Sequence, residues 1–343
     1  MRLARWKAGV ALGALAAILS LPAWGNDTDN RQNAMPGTLN YVEGQASIAD
    51  HTLDSKSVGT AELQNGQVME TGNGKAEILL TPGVFLRIGS NSSVKMVSNS
   101  LTNTQVSLRD GEAMLEVDTL YKENFIHISQ PGADTRVAKP GLYDFDATHQ
   151  RVLVFDGKAI VSADDRNTTL KKGHEVALNR ARLKSADFDK KEVTQNDDLY
   201  RWSSLRSEYL SQANIDEAQA YYANGWYGPG WWGAGWYWDP WFDGFTFLPG
   251  DGFFYSPFGW GFYSPLMAWR APYYGGIHGY HHFDGSRSAA IGRGFHNHAV
   301  TSFRGGYASG GFRESGGFHG GGFHGGGFGG GGFHAGGGRG GHR

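Results

Sequence analysis

The sequence predicts an all-β domain over residues 37–179, built from short strands as a β-sandwich or a β-solenoid-like fold. Short apolar runs alternate there with glycine-centred turns, and the Asp-Gly pairs at 110–111 and 156–157 are strong short-range hairpin signals. No stretch within these limits keeps a 3.6-residue apolar period, which argues against helices. About 140 residues are enough to enclose one hydrophobic core.

The first 25 residues have the pattern of a secretory signal peptide. A basic start precedes an apolar run at 8–21, and small Ala23 and Gly25 stand before the expected cleavage point. This run is shorter than the roughly 20 apolar residues that span a bilayer, and an uncleaved anchor is the alternative. The chain has no Cys, which excludes disulfides and thiolate ligands and favours a bacterial envelope protein. Residues 26–36 are polar and are expected to form a disordered leader.

Strands are expected where β-branched and aromatic residues alternate with polar ones. Two hairpins are expected around the Asp-Gly turns, joining 106–108 to 113–117 and 151–154 to 159–161. The other expected strands are 39–41, 46–48, 67–71, 76–80, 84–88, 94–97, 125–128, 136–137, 143–145 and 175–178.

Several short motifs in this region occur in a fixed order: Thr71-Gly72 before Ala76-Glu77-Ile78, then Leu86-Arg87-Ile88-Gly89, Val106-Ser107-Leu108 before Gly111-Glu112, and Val154 before Gly157-Lys158-Ala159. In order and spacing they resemble the FecR periplasmic domain, over about two-fifths of the chain. The resemblance implies a role in envelope sensing or regulation. Lys139-Pro140-Gly141-Leu142 departs from the family's usual Arg-Gly-Thr and is expected to alter one loop. Well-known members also carry a cytoplasmic anti-sigma segment, which is not expected here because seven residues precede the apolar run.

A helical segment is expected after the β domain. Residues 180–195 are charged and predict a linker, and residues 196–224 have helical spacing with an acidic start at 196–198. The apolar face contains Leu199, Trp202, Leu205, Tyr209 and Ala213, and the opposite face contains Arg201, Arg206 and Glu208. Its simplest role is to pack against the β domain, and partner binding through Trp202 and Tyr209 is the alternative.

The rest of the chain changes character abruptly. Residues 225–285 are rich in Trp, Tyr, Gly and Pro and predict a low-complexity region with at most marginal hairpins at 245–255 and 258–263. Residues 286–343 predict a disordered Gly/Phe/His-rich tail. Aromatic faces suit sugar rings, peptides and membrane interfaces, so binding is assigned here to Trp231, Trp232, Trp236, Trp238 and Trp241.

No set of residues predicts an enzyme, a cofactor site or a metal site. Asp110, Glu112, Glu116, Asp118, Asp144 and Asp146 are interpreted as the solvated face of an antiparallel sheet rather than as a pair of catalytic carboxylates. The four His of the β domain accompany no nucleophile motif. Nine of the 13 His follow Arg270, where a glycine-rich tail offers no fixed metal geometry. Two isolated Arg-Gly-Gly segments and a net charge of −2 do not favour nucleic acid.

The sequence therefore predicts an exported, non-enzymatic interaction module, located in the periplasm or at the cell surface. The expected partner is an envelope protein or a cell-wall glycan, with peripheral membrane or surface association as a further option. The oligomeric state is open. The first alternative is a structural or adhesive surface protein in which the aromatic and glycine-rich tail mediates association. A carbohydrate-active enzyme is the second alternative, and it would require carboxylates in a cleft.

Overall fold

The computed structural model describes residues 34–179, 183–223 and 233–272 of the 343. Within them, strands β1–β15 form one sheet and β16–β19 form two separate hairpins. The strands are β1 Leu39–Ile48, β2 His51–Thr52, β3 Val68–Leu79, β4 Val84–Ile88, β5 Ser93–Ser100, β6 Asn103–Asp110, β7 Glu112–Val117, β8 Phe125–Gln130, β9 Ala133–Val137, β10 Gly141–Asp146, β11 Arg151–Asp156, β12 Lys158–Ala163, β13 Arg166–Lys171, β14 His174–Ala177, β15 Ser185–Asp187, β16 Gly235–Asp239, β17 Gly244–Leu248, β18 Phe253–Tyr255 and β19 Gly261–Tyr263. The helices are α1 Lys190–Asn196 and α2 Asp198–Ala223, with 3-10 turns at Ser55–Ser57 and Pro265–Arg270.

The sheet folds over on itself and encloses the main core. Its first half, which we call the open half, has the order β13-β12-β9-β8-β6-β5, and the second, the covered half, has the order β4-β7-β10-β11-β14-β15. Strand β3 joins them by pairing with β5 at one end and β4 at the other. Inward side chains from both halves, such as Val106 and Leu115, belong to one apolar cluster. The prediction of an all-β fold followed by a helical segment is confirmed.

The Asp-Gly turns do not form the two hairpins expected of them. Strand β6 pairs with β5 and β8, whereas β7 pairs with β4 and β10. Strands β11 and β12 are likewise unpaired with each other. Gly111 (φ 78°) and Gly157 (φ 97°) instead turn the chain from one half of the sheet to the other. A Cβ at Gly111 would lie 2.1 Å from Ser92 Oγ, so a close approach as well as a positive φ requires glycine there.

Helix α2 and the chain after it cover the outer face of the covered half. The helix starts where the acidic residues predict, with Asp197 Oδ1 accepting a hydrogen bond from the Tyr200 amide at 2.9 Å. Leu199 packs on Leu153 and Phe155, and Leu210 packs on Leu79 and Phe85. The segment 180–195, expected to be a linker, contains β15 and α1 in its described part.

The orientation of α2 differs from the expected one. Arg206, placed on the solvent face by its charge, is buried at 5% exposure, and Leu205, placed on the apolar face, is 39% exposed. The buried face also contains Ser203, Ser207, Ser211 and Asn214. The physical reason is that the covered half presents buried charged groups to the helix, so that polar helical side chains are needed as partners.

Residues 233–272 of the aromatic region are folded. Strand β16 pairs with β17 and β18 pairs with β19, so neither expected hairpin, within 245–255 or within 258–263, forms. Phe245, Phe247 and Phe262 are fully buried in a cluster with Leu210. Asn214 Nδ2 donates to the carbonyls of Phe247 (2.9 Å) and Tyr263 (3.0 Å) and so joins both hairpins to the helix. Packing against the sheet and the helix stabilises hairpins that would be marginal alone.

The expected signal peptide (1–25), most of the leader (26–36), Trp231 and Trp232, and the tail from 273 onward lie outside the described residues. Neither of the two described helices is long and apolar enough to span a bilayer.

Candidate functional site

A buried network of charges lies between the covered half and α2. Arg87 is fully buried and donates to Glu77 at 2.8 Å and to Glu116. Arg206 from the helix donates to the other Glu77 oxygen at 2.9 Å, and Ser207 donates to Glu116 at 2.7 Å. The network therefore joins β3, β4 and β7 to α2 through charge-assisted hydrogen bonds.

The network extends to the first strand and to the aromatic hairpin β16–β17. Asn40 donates to Glu77 at 2.9 Å and exchanges two hydrogen bonds with the backbone of Phe245, at 3.0 and 2.7 Å. Burial alone would raise the pKa of Glu77, but the Arg206 and Arg87 guanidinium groups hold that pKa below its ordinary value. These contacts make the network a structural connector.

Three of the six acidic residues interpreted as a solvated sheet face, Glu116, Asp144 and Asp146, are buried, and for them that interpretation is wrong. Asp110 is exposed, and Glu112 and Asp118 are half-buried. Glu116 and Asp144 have no exposed surface, and Asp146 is 3% exposed. They do point away from the main core, as their alternation indicates, but helices α1 and α2 cover that face. A charged residue within a continuous apolar run, as in Phe85-Leu86-Arg87-Ile88 or Leu142-Tyr143-Asp144-Phe145, was the available signal of burial.

A second cluster of acids lies where β7 and β10 meet the α1–α2 junction. Glu112, Asp144 and Asp197 place carboxylate oxygens within 4.8 Å of one another. Glu112 and Asp197 line an acidic cleft of about 880 Å³, and Asp144 is buried next to them. The cleft is lined by Ser90, Asn91, Gly111, Glu112, Asp146, Thr148, His149, Arg151, Glu175, Asp187, Phe188, Asp189, Glu192, Val193, Asn196, Asp197 and Asp198. Burial, with Asp197 and Asp146 nearby, raises the pKa of Glu112 to about 8.

We expect stability to rise as the pH falls from about 9 to about 6 in a chelating buffer. A carboxyl with a raised folded-state pKa contributes stability that is present at low pH and lost as the pH rises through that pKa. For Glu112 this amounts to about 2 kcal/mol over the interval, since one pKa unit corresponds to about 1.4 kcal/mol. Urea unfolding at several pH values measures the effect, and Glu112→Gln should make the curve less steep, with Asp144 and Asp118, whose pKa values burial also raises, accounting for the remainder. A stability that is level or increases toward pH 9 would contradict the assignment.

Three exposed aromatic side chains lie on the hairpin β18–β19 and the turn after it. We call these three, Phe253, Tyr255 and Trp269, together with Arg270, the aromatic face. Tyr255 is 64% exposed and Trp269 is 65% exposed. The Arg270 guanidinium lies 5.4 Å from the Phe253 ring centre and 5.3 Å from that of Trp269. Phe253 stacks on Tyr263 at 5.6 Å. The face is therefore exposed but held in place by ring contacts.

The aromatic residues assigned to binding from the sequence lie in different environments. Trp236 is buried at 6% exposure against Phe85, and Trp238 is half-buried against Phe245. Trp202 is half-buried with its ring centre 6.0 Å from that of Tyr41, and Tyr209 is half-buried on α2. Trp241 is 76% exposed. Their role in binding stays a prediction, and the aromatic face adds Tyr255 and Trp269, which sequence reasoning did not single out.

Comparison with known proteins gives a family match and structural neighbours, among them two crystal structures. Residues 67–159, from the start of β3 into β12, match the family model described as FecR protein. No curated protein matches. Two crystal structures of a "putative anti-sigma factor" from Parabacteroides distasonis are 17% and 16% identical, each with a TM-score of 0.32. Each comparison covers 36% of this chain and 61% of the other.

Proposed function

We propose that this chain, a FecR-domain protein as its motifs predict, is an exported, non-enzymatic module that binds a protein partner in the bacterial envelope through the aromatic face. The FecR domain supports a sensing or regulatory role. Export is proposed from the sequence pattern of residues 1–25, which lie outside the described structure. The observation that carries the choice of surface is the exposure of Tyr255 and Trp269 around Arg270.

The composition of the aromatic face favours a protein partner. Trp, Tyr and Arg are the residues that most often dominate binding energy at protein–protein interfaces. Rigid aromatic side chains also lose little conformational entropy on binding, because only two torsions are fixed. The hairpin that presents them is anchored at its base, where the Ser264 amide donates to the Gly252 carbonyl at 3.0 Å. The side chain of Asn214 also bonds to both the amide and the carbonyl of Tyr263. A preorganised surface lowers the cost of association.

The buried acids support a non-enzymatic function. The carboxylates of Glu77 and Glu116 accept hydrogen bonds from Arg87, Arg206 and Ser207, and solvent does not reach them. General acid–base hydrolysis needs two carboxyl groups that reach a bound substrate from opposite sides. Asp144, whose oxygens accept no hydrogen bond in the described residues, is fully buried and does not line the cleft beside Glu112 and Asp197. We therefore propose no hydrolase activity for this cluster.

A cell-wall glycan is the second candidate partner, and one observation favours it. The Trp241 ring is 76% exposed on the turn between β16 and β17, and a flat exposed indole can stack on a sugar ring. The experiment below separates the two partners.

A photo-crosslinking amino acid in place of Tyr255, in the full chain expressed in its native host, should give a discrete protein adduct in the envelope fraction. A Trp269→Ala/Arg270→Ala background should reduce the adduct about tenfold or more, because truncating two central interface residues costs at least about 2 kcal/mol. The measurement is an immunoblot of fractionated cells, followed by mass spectrometry of the adduct.

The matched control carries the crosslinker in place of Leu101, which is 49% exposed at the tip of the β5–β6 hairpin. Equal adducts at both positions, or no adduct at Tyr255, would exclude the aromatic face as the contact surface. If the immunoblot showed a ladder of adducts that muramidase treatment removes, the partner would be a glycan and not a protein. An adduct confined to the cytoplasm would overturn the proposed export.

A further inference from the structure

Three carboxylates converge at the junction of the covered half with the helices, and one of them has no partner. Glu112 lies on β7, Asp144 on β10 and Asp197 between α1 and α2, with ligand oxygens within 4.8 Å of one another. Asp144 is fully buried, and within the described residues neither of its oxygens accepts a hydrogen bond. A buried carboxylate without a partner costs several kcal/mol unless a proton or a cation compensates it.

The nearby positive groups bond directly to acids outside this cluster, and Arg151 only partly offsets the negative charge around Asp144 and Glu112. Arg151 Nε binds Asp146 at 3.0 Å, and His149 Nδ1 binds the same Asp146 oxygen at 2.7 Å. On the helix side, Lys75 pairs with Asp198 at 2.7 Å. The cleft around them contains further acids, among them Glu175, Asp187 and Glu192. Glu112, Asp144 and Asp197 therefore stand in a strongly negative field that attracts cations.

We propose that Glu112, Asp144 and Asp197 form a binding site for a divalent cation of the hard, oxygen-preferring class, with Ca²⁺ as the favoured ion. The site has carboxylate ligands only, which suits Ca²⁺, Mg²⁺ or Mn²⁺ better than Zn²⁺ or Cu²⁺. Oxygens up to 4.8 Å apart fit opposite sides of one Ca²⁺, whose bonds to oxygen are about 2.3–2.6 Å long.

Ca²⁺ is favoured over Mg²⁺ by the shape of the site. Mg²⁺ requires bonds of about 2.0–2.1 Å in near-ideal octahedral geometry, whereas Ca²⁺ accepts irregular shells completed by water. The cleft of about 880 Å³ beside the three carboxylates has room for such waters. A bound ion would connect β7 and β10 to Asp197, whose Oδ1 also caps α2. Occupancy would therefore stabilise the attachment of the helices to the sheet.

The test is thermal unfolding of the purified full chain in metal-stripped buffer, with CaCl₂ or MgCl₂ added to about 10 mM, roughly ten times the highest Kd of weak extracellular sites. We expect Ca²⁺ to raise the Tm by about 5 °C and Mg²⁺ to raise it less. Asp144→Asn keeps the shape of the side chain but removes a ligand charge, so it should lose most of the shift. Without metal, this variant should be at least as stable as the wild type, which separates lost binding from misfolding. Calorimetry with Ca²⁺ should give saturable binding that Asp144→Asn abolishes.

The matched control is Asp187→Asn, which removes an exposed carboxylate from the rim of the same cleft. It should keep the full response to Ca²⁺. A wild-type Tm that changes by less than about 1 °C at saturating Ca²⁺, with no calorimetric binding, would overturn the proposal. So would an Asp144→Asn variant that responds as the wild type does, because the effect would then be general screening of an acidic surface.

Discussion

Replacing Arg87 with methionine should lower the free energy of unfolding by about 3–5 kcal/mol, the range for removing one partner of a buried ion pair. Arg87 has no exposed surface and is the group that neutralises both Glu77 and Glu116. Methionine would fill much of the space but leave Glu116 without an ionic partner. Urea unfolding of the full chain, followed by tryptophan fluorescence, gives the comparison.

Arg109→Met is the matched control for this substitution. Arg109 lies on β6 in the open half and is exposed, so its loss should change stability by no more than about 0.5 kcal/mol. A second comparison is Arg87→Met combined with Glu116→Gln, which removes the stranded charge and should recover part of the loss. If Arg87→Met were as mild as Arg109→Met, the network would contribute nothing to the joining of sheet and helix.

The positions of most strands could be predicted from the sequence, because alternation is a local property. The apolar runs at 84–88 and 106–108 fall within strands β4 and β6. Strand pairing could not be predicted so well. The Asp-Gly signal at Gly111 and Gly157 is the same whether the next strand pairs with the previous one or crosses to the other half of the sheet. Hairpin and crossover differ only in which distant strand lies alongside.

The candidate site was harder to predict than the fold for a related reason. The alternation of β10 places Asp144 opposite the core, and on an uncovered sheet that position is solvated. What buries it is the α1–α2 junction around Asp197, which lies far along the chain. Arg206 was assigned to the solvent face because residue hydrophobicity alone decides that assignment. It takes no account of Glu77, the buried partner of Arg206 on the facing strand β3. Tyr255 and Trp269 could not be separated from the buried Trp236 by composition, since all belong to one aromatic-rich stretch.

Phe247→Ala should destabilise the whole described fold by about 3–5 kcal/mol, the usual cost of deleting a buried phenylalanine ring. Phe247 on β17 has no exposed surface, and its ring centre lies 5.8 Å from that of Trp236 in an edge-on contact. The same cluster includes Leu79 and Phe85 of the FecR-like sheet and Leu210 of α2. If 233–272 were an appendage, removing one of its rings would leave the unfolding of the sheet unchanged.

Hydrogen exchange measured by mass spectrometry distinguishes these outcomes segment by segment. In Phe247→Ala we expect faster exchange in β3, β4 and α2 as well as in β16–β17, because their packing is shared. The control is Trp241→Ala, which removes a larger ring from the adjoining turn but should change stability by about 0.5 kcal/mol or less, since that ring is 76% exposed. Faster exchange restricted to β16–β17 would mean that the aromatic hairpins fold as a separate unit. Faster exchange throughout would make them the outer layer of the FecR-like domain, and the aromatic face would then be carried by the same cooperative fold as the acidic cluster.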